Sequence, residues 1–360
     1  MNKGKMNTKS ERQQSVELIR FLLSVVVCLH HLMDMDKYVF RSGYLSVDVF
    51  FVLSGFFLMK QFISDNQDIN TEKSTLLYVK SRIKRLFPHH LFSWIITAFV
   101  MVFVTKAYTV NELVYYGWPE LFLLKATGIG NNITINGVAW YISALVICSF
   151  IIYWILLRIR KSGDPEARHF SLFYAPICFL VIMAYIWSTQ EKLNYWTQSS
   201  FIFTGGFLRG MAGMSIGCTA YAFVQVIRKR IGENPNRRIR IFASIYELIG
   251  WFIVFAIMFT RGGLKDFIIP VLSTTLIISM FSAKSYLSCA LNNKVCGFLG
   301  RISYPMYLNQ SIFIRPLRAF CAGAPLVIVA PLMLLGLFVF SVVSDWFVNL
   351  VTKKIESRLT

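Results

Sequence analysis

The chain has 360 residues, of which 56% are hydrophobic and only 15% charged, and its mean hydropathy is +0.55. Soluble domains carry about 25% charged residues, so a single soluble core, a disordered chain and a small secreted scaffold are excluded, and a polytopic membrane protein is predicted. The net charge of +19 would suit a nucleic-acid partner, but its placement along the chain argues against one.

In chain order, residues 1–15 form a basic cytoplasmic tail, residues 16–352 a membrane domain and residues 353–360 a second cytoplasmic tail. Hydropathy predicts spans at 16–35, 45–63, 87–106, 137–158, 170–188, 199–227, 241–260, 264–283, 297–316 and 325–351. The apolar run 113–124 is too short to cross and is expected to be interfacial or re-entrant. The first span lacks a small-residue cleavage site and is read as retained. Of the 37 Lys and Arg, 26 fall in the tails and loops on the side of the termini and nine on the other side, while Arg20 and Arg209 lie within spans. The positive-inside rule then places both termini in the cytoplasm. The expected fold is an all-α polytopic membrane protein of about ten transmembrane helices in the inner or plasma membrane, with no nucleic-acid partner and an oligomeric state left open. The seven cysteines are scattered, form no CxxC pair and read as packing residues. No metal site is predicted.

Ionisable groups within spans are functional candidates because they are costly there. They are Arg20, Asp48, Arg209, Glu247 and Asp345, with His30 and His31 together in the first span. Eleven residues separate Arg20 from His31. At about 100° per residue these two share a helix face with Ser24 and with Val27 or Cys28, and a rise of about 16 Å separates them. His30 is turned about 80° away. The alternative is that either histidine only bonds a neighbouring helix. Asp48 lies at matching depth on the antiparallel second span, where it is expected to bond one imidazole nitrogen of His31; its alternative is a first-turn acid favoured by the helix dipole. Arg82 and Arg85, three apart in the cluster Lys80-Ser81-Arg82-Ile83-Lys84-Arg85, share a face at the mouth of the third span. Such a pair suits a phosphate-rich ligand, and is alternatively an ordinary positive-inside flank.

Five segments then carry a resemblance. ELIRFLLSVVVCLHHL has an Arg…His spacing, and GYLSVDVFFVLSGFFL is close to a GVDxFFVxSGF pattern. SRIKRLFP, NGVAWYISALVI and FLGRISYPMYLNQSIF follow in order. Together they resemble the acyltransferase 3 family of membrane-bound acyltransferases over about residues 16–316. The resemblance implies transfer of an acyl group, most often acetyl from cytoplasmic acetyl-CoA, to a hydroxyl of an extracytoplasmic glycan or lipid-linked sugar. It makes His31 the family's essential histidine, Arg20 its first-span arginine, and Arg82 and Arg85 its RxxR pair. His31 then acts as base, or accepts the acyl group itself. The CoA head group is expected on Arg82 and Arg85, with Lys80 or Lys84 beside them. Trp140, Ser143, Tyr304, Tyr307, Asn309 and Gln310, in the last two motifs, are the candidate acceptor-binding residues; the aromatic ones read alternatively as interfacial belt.

Two departures stand out. The glutamate often found after the WxLS motif is missing, and Gln310 occupies the place of a late histidine. The hydrolase-like domain that many relatives append is not expected here. The rival class is a transporter or flippase for a lipid-linked sugar, whose path the intramembrane charges would line.

Overall fold

The computed structural model describes residues 14–32, 39–65, 71–129, 134–195, 199–200, 203–232, 234–321 and 323–359. Most of the predicted basic tail, and the exit of the first span at Asp34 to Asp36, lie outside them. The described chain is helical: α1 (Gln14–Leu32), α2 (Ser46–Ser64), α3 (Thr71–Phe99), α4 (Val110–Tyr116), α5 (Trp118–Leu121), α6 (Ala139–Lys161), α7 (Ala175–Gln190), α8 (Gly205–Ile231), α9 (Arg237–Phe259), α10 (Ile268–Ser282), α11 (Tyr286–Ala290), α12 (Lys294–Phe320) and α13 (Leu326–Leu359). The extended exception is a two-residue antiparallel pair, Ser199–Ser200 with Phe203–Thr204, before α8.

Among the described residues, nine helical segments are long and apolar enough to cross a membrane. Helix α12 is not one of them, because Arg301, Asn309, Gln310 and the Ser, Tyr and Pro residues between them lower the hydropathy of its middle. It nevertheless runs beside α1 over the whole length of that helix. Asn292 meets the start of α1 through the Gln14 N–H at 2.9 Å, Ser24 Oγ donates to the Ser303 carbonyl at 3.1 Å, and Arg318 Nη2 donates to the His31 carbonyl at 2.6 Å. Counting α12 gives the ten spans predicted. The all-α polytopic fold is thus the one expected.

Helix boundaries follow local chemistry. Thr204, Asn236 and Asn293 cap α8, α9 and α12 by accepting the N–H of Phe207, Ile239 and Cys296. The Thr204 cap moves the start of the sixth span from 199 to Gly205. Helix α3 begins at Thr71, well before the predicted 87, so the basic cluster 80–85 is helical and continuous with its span. The short segment around 113–124 divides between α4, which buries no residue, and α5, which buries Pro119 and Glu120. That division fits an interfacial element.

Helix α2 is the innermost element. Its close neighbour α8 approaches backbone to backbone: a Cβ at Gly55 would collide with the Met214 carbonyl, and one at Gly217 with the Val52 carbonyl. At one end of the bundle Asp266 ties the connections together, accepting from Tyr44 Oη at 2.6 Å and from the Leu193 N–H at 3.2 Å. The outward faces of α7, α9 and α13 expose large apolar side chains such as Trp187, Phe252 and Trp346, as lipid contact requires.

Candidate active site

Helix α1 turns one face to α12, and the spacing of the sequence decides which residues lie on it. Ser24 Oγ bonds the Ser303 carbonyl, and Cys28 Sγ approaches the Met306 carbonyl at 3.9 Å. One turn further, half-buried His31 lines a small cleft of about 70 Å³ with Gly137, Val138, Gln310, Ile314 and Arg318. His31 therefore lies on the Ser24–Cys28 stripe as predicted. His30 points elsewhere: its Nδ1 lies 2.9 Å from the Phe40 carbonyl, and its ring packs 5.5 Å from Tyr44. The two histidines are distinct in surroundings, and of the two it is His31 that lines this cleft.

Asp48 does not serve His31. Both of its oxygens are taken by Arg209, with Nη2 to Oδ2 at 2.7 Å and Nε to Oδ1 at 3.0 Å. Arg209 Nη2 also donates to the Tyr44 carbonyl at 3.1 Å, and its guanidinium lies 5.2 Å from the Trp140 ring. Both side chains are 1% exposed. The guanidinium fork matches a carboxylate bidentately, which a single imidazole nitrogen cannot do, and the glycine-lined α2–α8 contact brings the fork within reach. Among the described residues no carboxylate lines the His31 cleft. The other intramembrane acids are also paired internally. Glu247 accepts from Ser279, Ser285 and Ser288, and Asp345 is shared by His89 and Arg301. The charges expected to line a transport path are dispersed among separate helix contacts.

Toward the other end of α1 the charge is one-sided. Arg82 is 9% exposed; its Nη1 donates to Tyr78 Oη at 2.7 Å, and its Nε is buried without a hydrogen bond. Arg85, one turn on, is exposed. Arg20 lies over the Phe57 ring at 5.1 Å and 3.4 Å from Glu17. Arg20 and Arg82 are near enough for their charges to act on Arg85, and all three act on Tyr141. Arg20 thus stands with the basic pair at the far end of α1 from His31. Lys84 instead turns to α13, where it pairs with Glu356 at 2.8 Å, and Lys80 is exposed. Only the arginines converge.

A column of aromatic rings joins the two ends. Tyr141 packs 5.5 Å from Tyr307, whose hydroxyl donates to the Val138 carbonyl at 3.1 Å, and Val138 lines the His31 cleft. Tyr304 donates to the Leu86 carbonyl at 3.0 Å. Among the other acceptor candidates, Ser143 is wholly engaged: it accepts from the Ala126 N–H at 2.9 Å and donates to the Leu123 carbonyl at 2.6 Å. Asn309 faces α13 and donates to Ser344. Trp140 packs on Arg209. These three hold helices and loops in place and do not border the cleft. Gln310 does: its Nε2 donates to the Tyr307 carbonyl, while its Oε1 is buried with no partner.

Sequence reasoning missed the residues that shape the cleft from the loop side. Asn136 donates to Ser93 and the Leu308 carbonyl and accepts from Ser311. Glu120 accepts the Asn136 N–H at 2.6 Å and the Ile135 N–H at 3.1 Å, so it sets the loop that carries Gly137 and Val138. Burial pushes its carboxyl up to about 7, against the pull of those N–H groups and of Lys125. Behind it, His90 Nε2 lies 3.2 Å from the Glu120 carbonyl. Glu120 sits in an apolar run too short to span, and a buried acid there was the available signal. His89 and His90, adjacent at the start of a span, offered the same signal as His30 and His31.

An acyltransferase-domain family profile matches residues 13–346. Comparison with curated proteins gives no match, and comparison with solved structures gives none. The match takes in α1 with His31, the α3 arginines, the NGVAW loop and α12, and it places the chain in the acyltransferase 3 family.

Proposed function

We propose that the protein transfers an acetyl group from cytoplasmic acetyl-CoA to a hydroxyl of an extracytoplasmic glycan or lipid-linked sugar. Family membership supports acyl transfer in general. The observation that carries the finer reading is the division of α1: Arg20 beside Arg82 and Arg85 at one end, His31 in a cleft at the other. Three guanidiniums with no matching set of carboxylates among the described residues suit the phosphates of CoA. The donor's pantetheine arm runs along Tyr141 and Tyr307 over the distance of about 16 Å between Arg20 and His31. The acceptor hydroxyl enters the His31 cleft from outside. His31 takes the hydroxyl proton as the oxygen attacks the thioester carbonyl, and returns it to the leaving CoA thiolate. The unpartnered Oε1 of Gln310 accepts a hydrogen bond from a second hydroxyl of the sugar. The basic excess around the ends of α3, α8 and α13 supports cytoplasmic termini and a place in the inner or plasma membrane.

The test is release of free CoA from acetyl-CoA by membranes supplied with a glycan acceptor. His31→Ala loses at least about 10²-fold, the contribution of a general base. His30→Ala retains measurable activity at equal abundance. Equal loss in both variants rejects the assignment to His31. An acylated His31 peptide trapped in the absence of acceptor would replace the base by a covalent carrier.

A further inference from the structure

At the end of the bundle opposite the His31 cleft, a hollow of about 450 Å³ opens between the last turns of α2, α8 and α10 and the short helix α11. The arginine cluster and the cleft do not contribute to it. Its rim carries three cations, Lys60, Arg228 and Lys284. Its floor is aromatic: Phe56 and Phe281 lie 4.3 Å apart, and Tyr221 packs 5.3 Å from Phe56. Among the described residues no Asp or Glu lines it. The nearest buried acid on that side, Glu247, is held one layer behind by Ser279, Ser285 and Ser288.

The cations are set in place. Arg228 Nε donates to the Phe281 carbonyl at 2.9 Å, which fixes the side chain at the rim, and its two Nη groups make no hydrogen bond among the described residues. Lys284 occupies a left-handed backbone position, with φ of 46°, at the turn between α10 and α11. A side chain is disfavoured there and glycine is the usual occupant. The turn is held by Arg240, whose Nε donates to the Lys284 carbonyl at 2.9 Å. Arg228 and Lys284 are thus both exposed at the mouth of the hollow, where a bound anion can reach them.

We propose that this hollow is a second anion site, which binds a phosphate ester joined to an apolar or aromatic group. The phosphate sits between Arg228 and Lys284, and the attached group lies on Phe56 and Phe281. Two sources offer this chemistry, an anionic phospholipid of the inner leaflet and a soluble nucleotide. The site is independent of the acyl-transfer reading, and its test does not use transfer.

Cys289 lines the hollow and is exposed, whereas Cys321 is exposed outside it. The ratio of maleimide labelling at these two cysteines reports occupancy in the purified protein. In phosphatidylcholine nanodiscs, addition of phosphatidylglycerol or of adenosine 3′,5′-bisphosphate should slow labelling of Cys289 and leave Cys321 unchanged. Protection by the lipid identifies the first source, and protection by the bisphosphate the second. Lys284→Gly removes the cation at a position that glycine tolerates, so the fold is kept. It and Arg228→Gln should each raise the half-protecting concentration by about tenfold or more, the loss expected for a charge-assisted bond. No protection by either probe overturns the proposal, as does protection that is equal in wild type, Lys284→Gly and Arg228→Gln. Protection that disappears in Arg82→Ala would move the anion to the arginine cluster and overturn it as well.

Discussion

The Asp48–Arg209 contact and the Arg20–Arg82–Arg85 cluster are both built from charged side chains inside helices, and they differ in balance. The first is closed: each acceptor on Asp48 meets a donor on Arg209, a further donor goes to the Tyr44 carbonyl, and water is excluded. The second has three cations, one neighbouring acid in Glu17, and a buried Arg82 Nε with no partner. A neutralised pair needs nothing more and fastens α2 to α8. An excess of one sign is complete only with a ligand of the other sign. Balance therefore separates scaffold from site, where burial alone does not.

The sharpest way to break this comparison is to open the closed pair. Arg209→Ala or Asp48→Ala leaves a buried charge without a partner, at a cost of about 3–5 kcal/mol, so the thermal midpoint and membrane abundance should both collapse. Replacing both with leucine should restore most of the loss, since a buried pair exchanged for apolar groups is close to neutral. Stable single variants that have lost only activity would turn the seam into a catalytic element.

The open cluster should respond in the opposite sense. Arg82→Ala or Arg85→Ala should raise the donor KM by about 10- to 150-fold, as the loss of a charge-assisted bond of roughly 1.5–3 kcal/mol implies, with thermal stability retained. Lysine should rescue only in part, because it cannot grip two oxygens. The penalty should shrink for a pantetheine thioester without nucleotide phosphates. Full rescue by lysine would reduce these arginines to topology charges.

A smaller effect is expected where the balance depends on pH. Glu120 has a folded pKa of about 7, raised above about 4.3 for a free glutamate. The folded state therefore holds its proton more tightly than the unfolded state. Its contribution to stability is full below about pH 4.3, falls as pH rises toward about 7, and is gone above that. Thermal midpoints taken at about pH 5.5 and about pH 8 should fall in the wild type and stay level in Glu120→Gln. A level wild-type profile would mean that the carboxyl is ionised throughout.

The smallest effect belongs to the basic residue that left the cluster. Lys84 pairs with Glu356 in solvent, and exposed pairs contribute about 0–1 kcal/mol. Lys84→Ala should leave the donor KM within about twofold. A shift as large as that of Arg82→Ala would return Lys84 to the donor site.

How far the sequence could be read depends on whether a property is local. The spans follow from runs of apolar residues, and even α12, whose middle is diluted by polar residues, shows in its length and its FLGRISY segment. The separation of His31 from His30 follows from the helix period alone. The partner of Asp48 does not, because Arg209 lies 161 residues away on a helix with no pattern that points to it. Depth matching paired Asp48 with the nearer histidine, and the stronger bidentate partner took its place. Ser143 and Asn309 stand in the right motifs, yet the loop at Ala126 and the face of α13 use their hydrogen bonds. Such use is fixed by tertiary contacts that no window of sequence contains. Glu120 was hidden because its segment reads as apolar filler until the fold brings Ile135 and Asn136 to it.

The pairing of α1 with α12 also sets a timetable for biogenesis. Ser24 emerges from the ribosome with the first helix, and the carbonyl it bonds follows 279 residues later. At about 5–20 residues per second that interval is on the order of tens of seconds. Throughout it, the α1 face bearing Ser24, Cys28 and His31 sits in the bilayer without its mate, and polar groups there invite any passing helix or an insertion chaperone. A nascent chain stalled before Lys294 has already built the Asp48–Arg209 seam, yet has no wall on the α12 side of the His31 cleft. The scaffold matures early in synthesis, and the cleft closes only once Lys294–Phe320 has emerged.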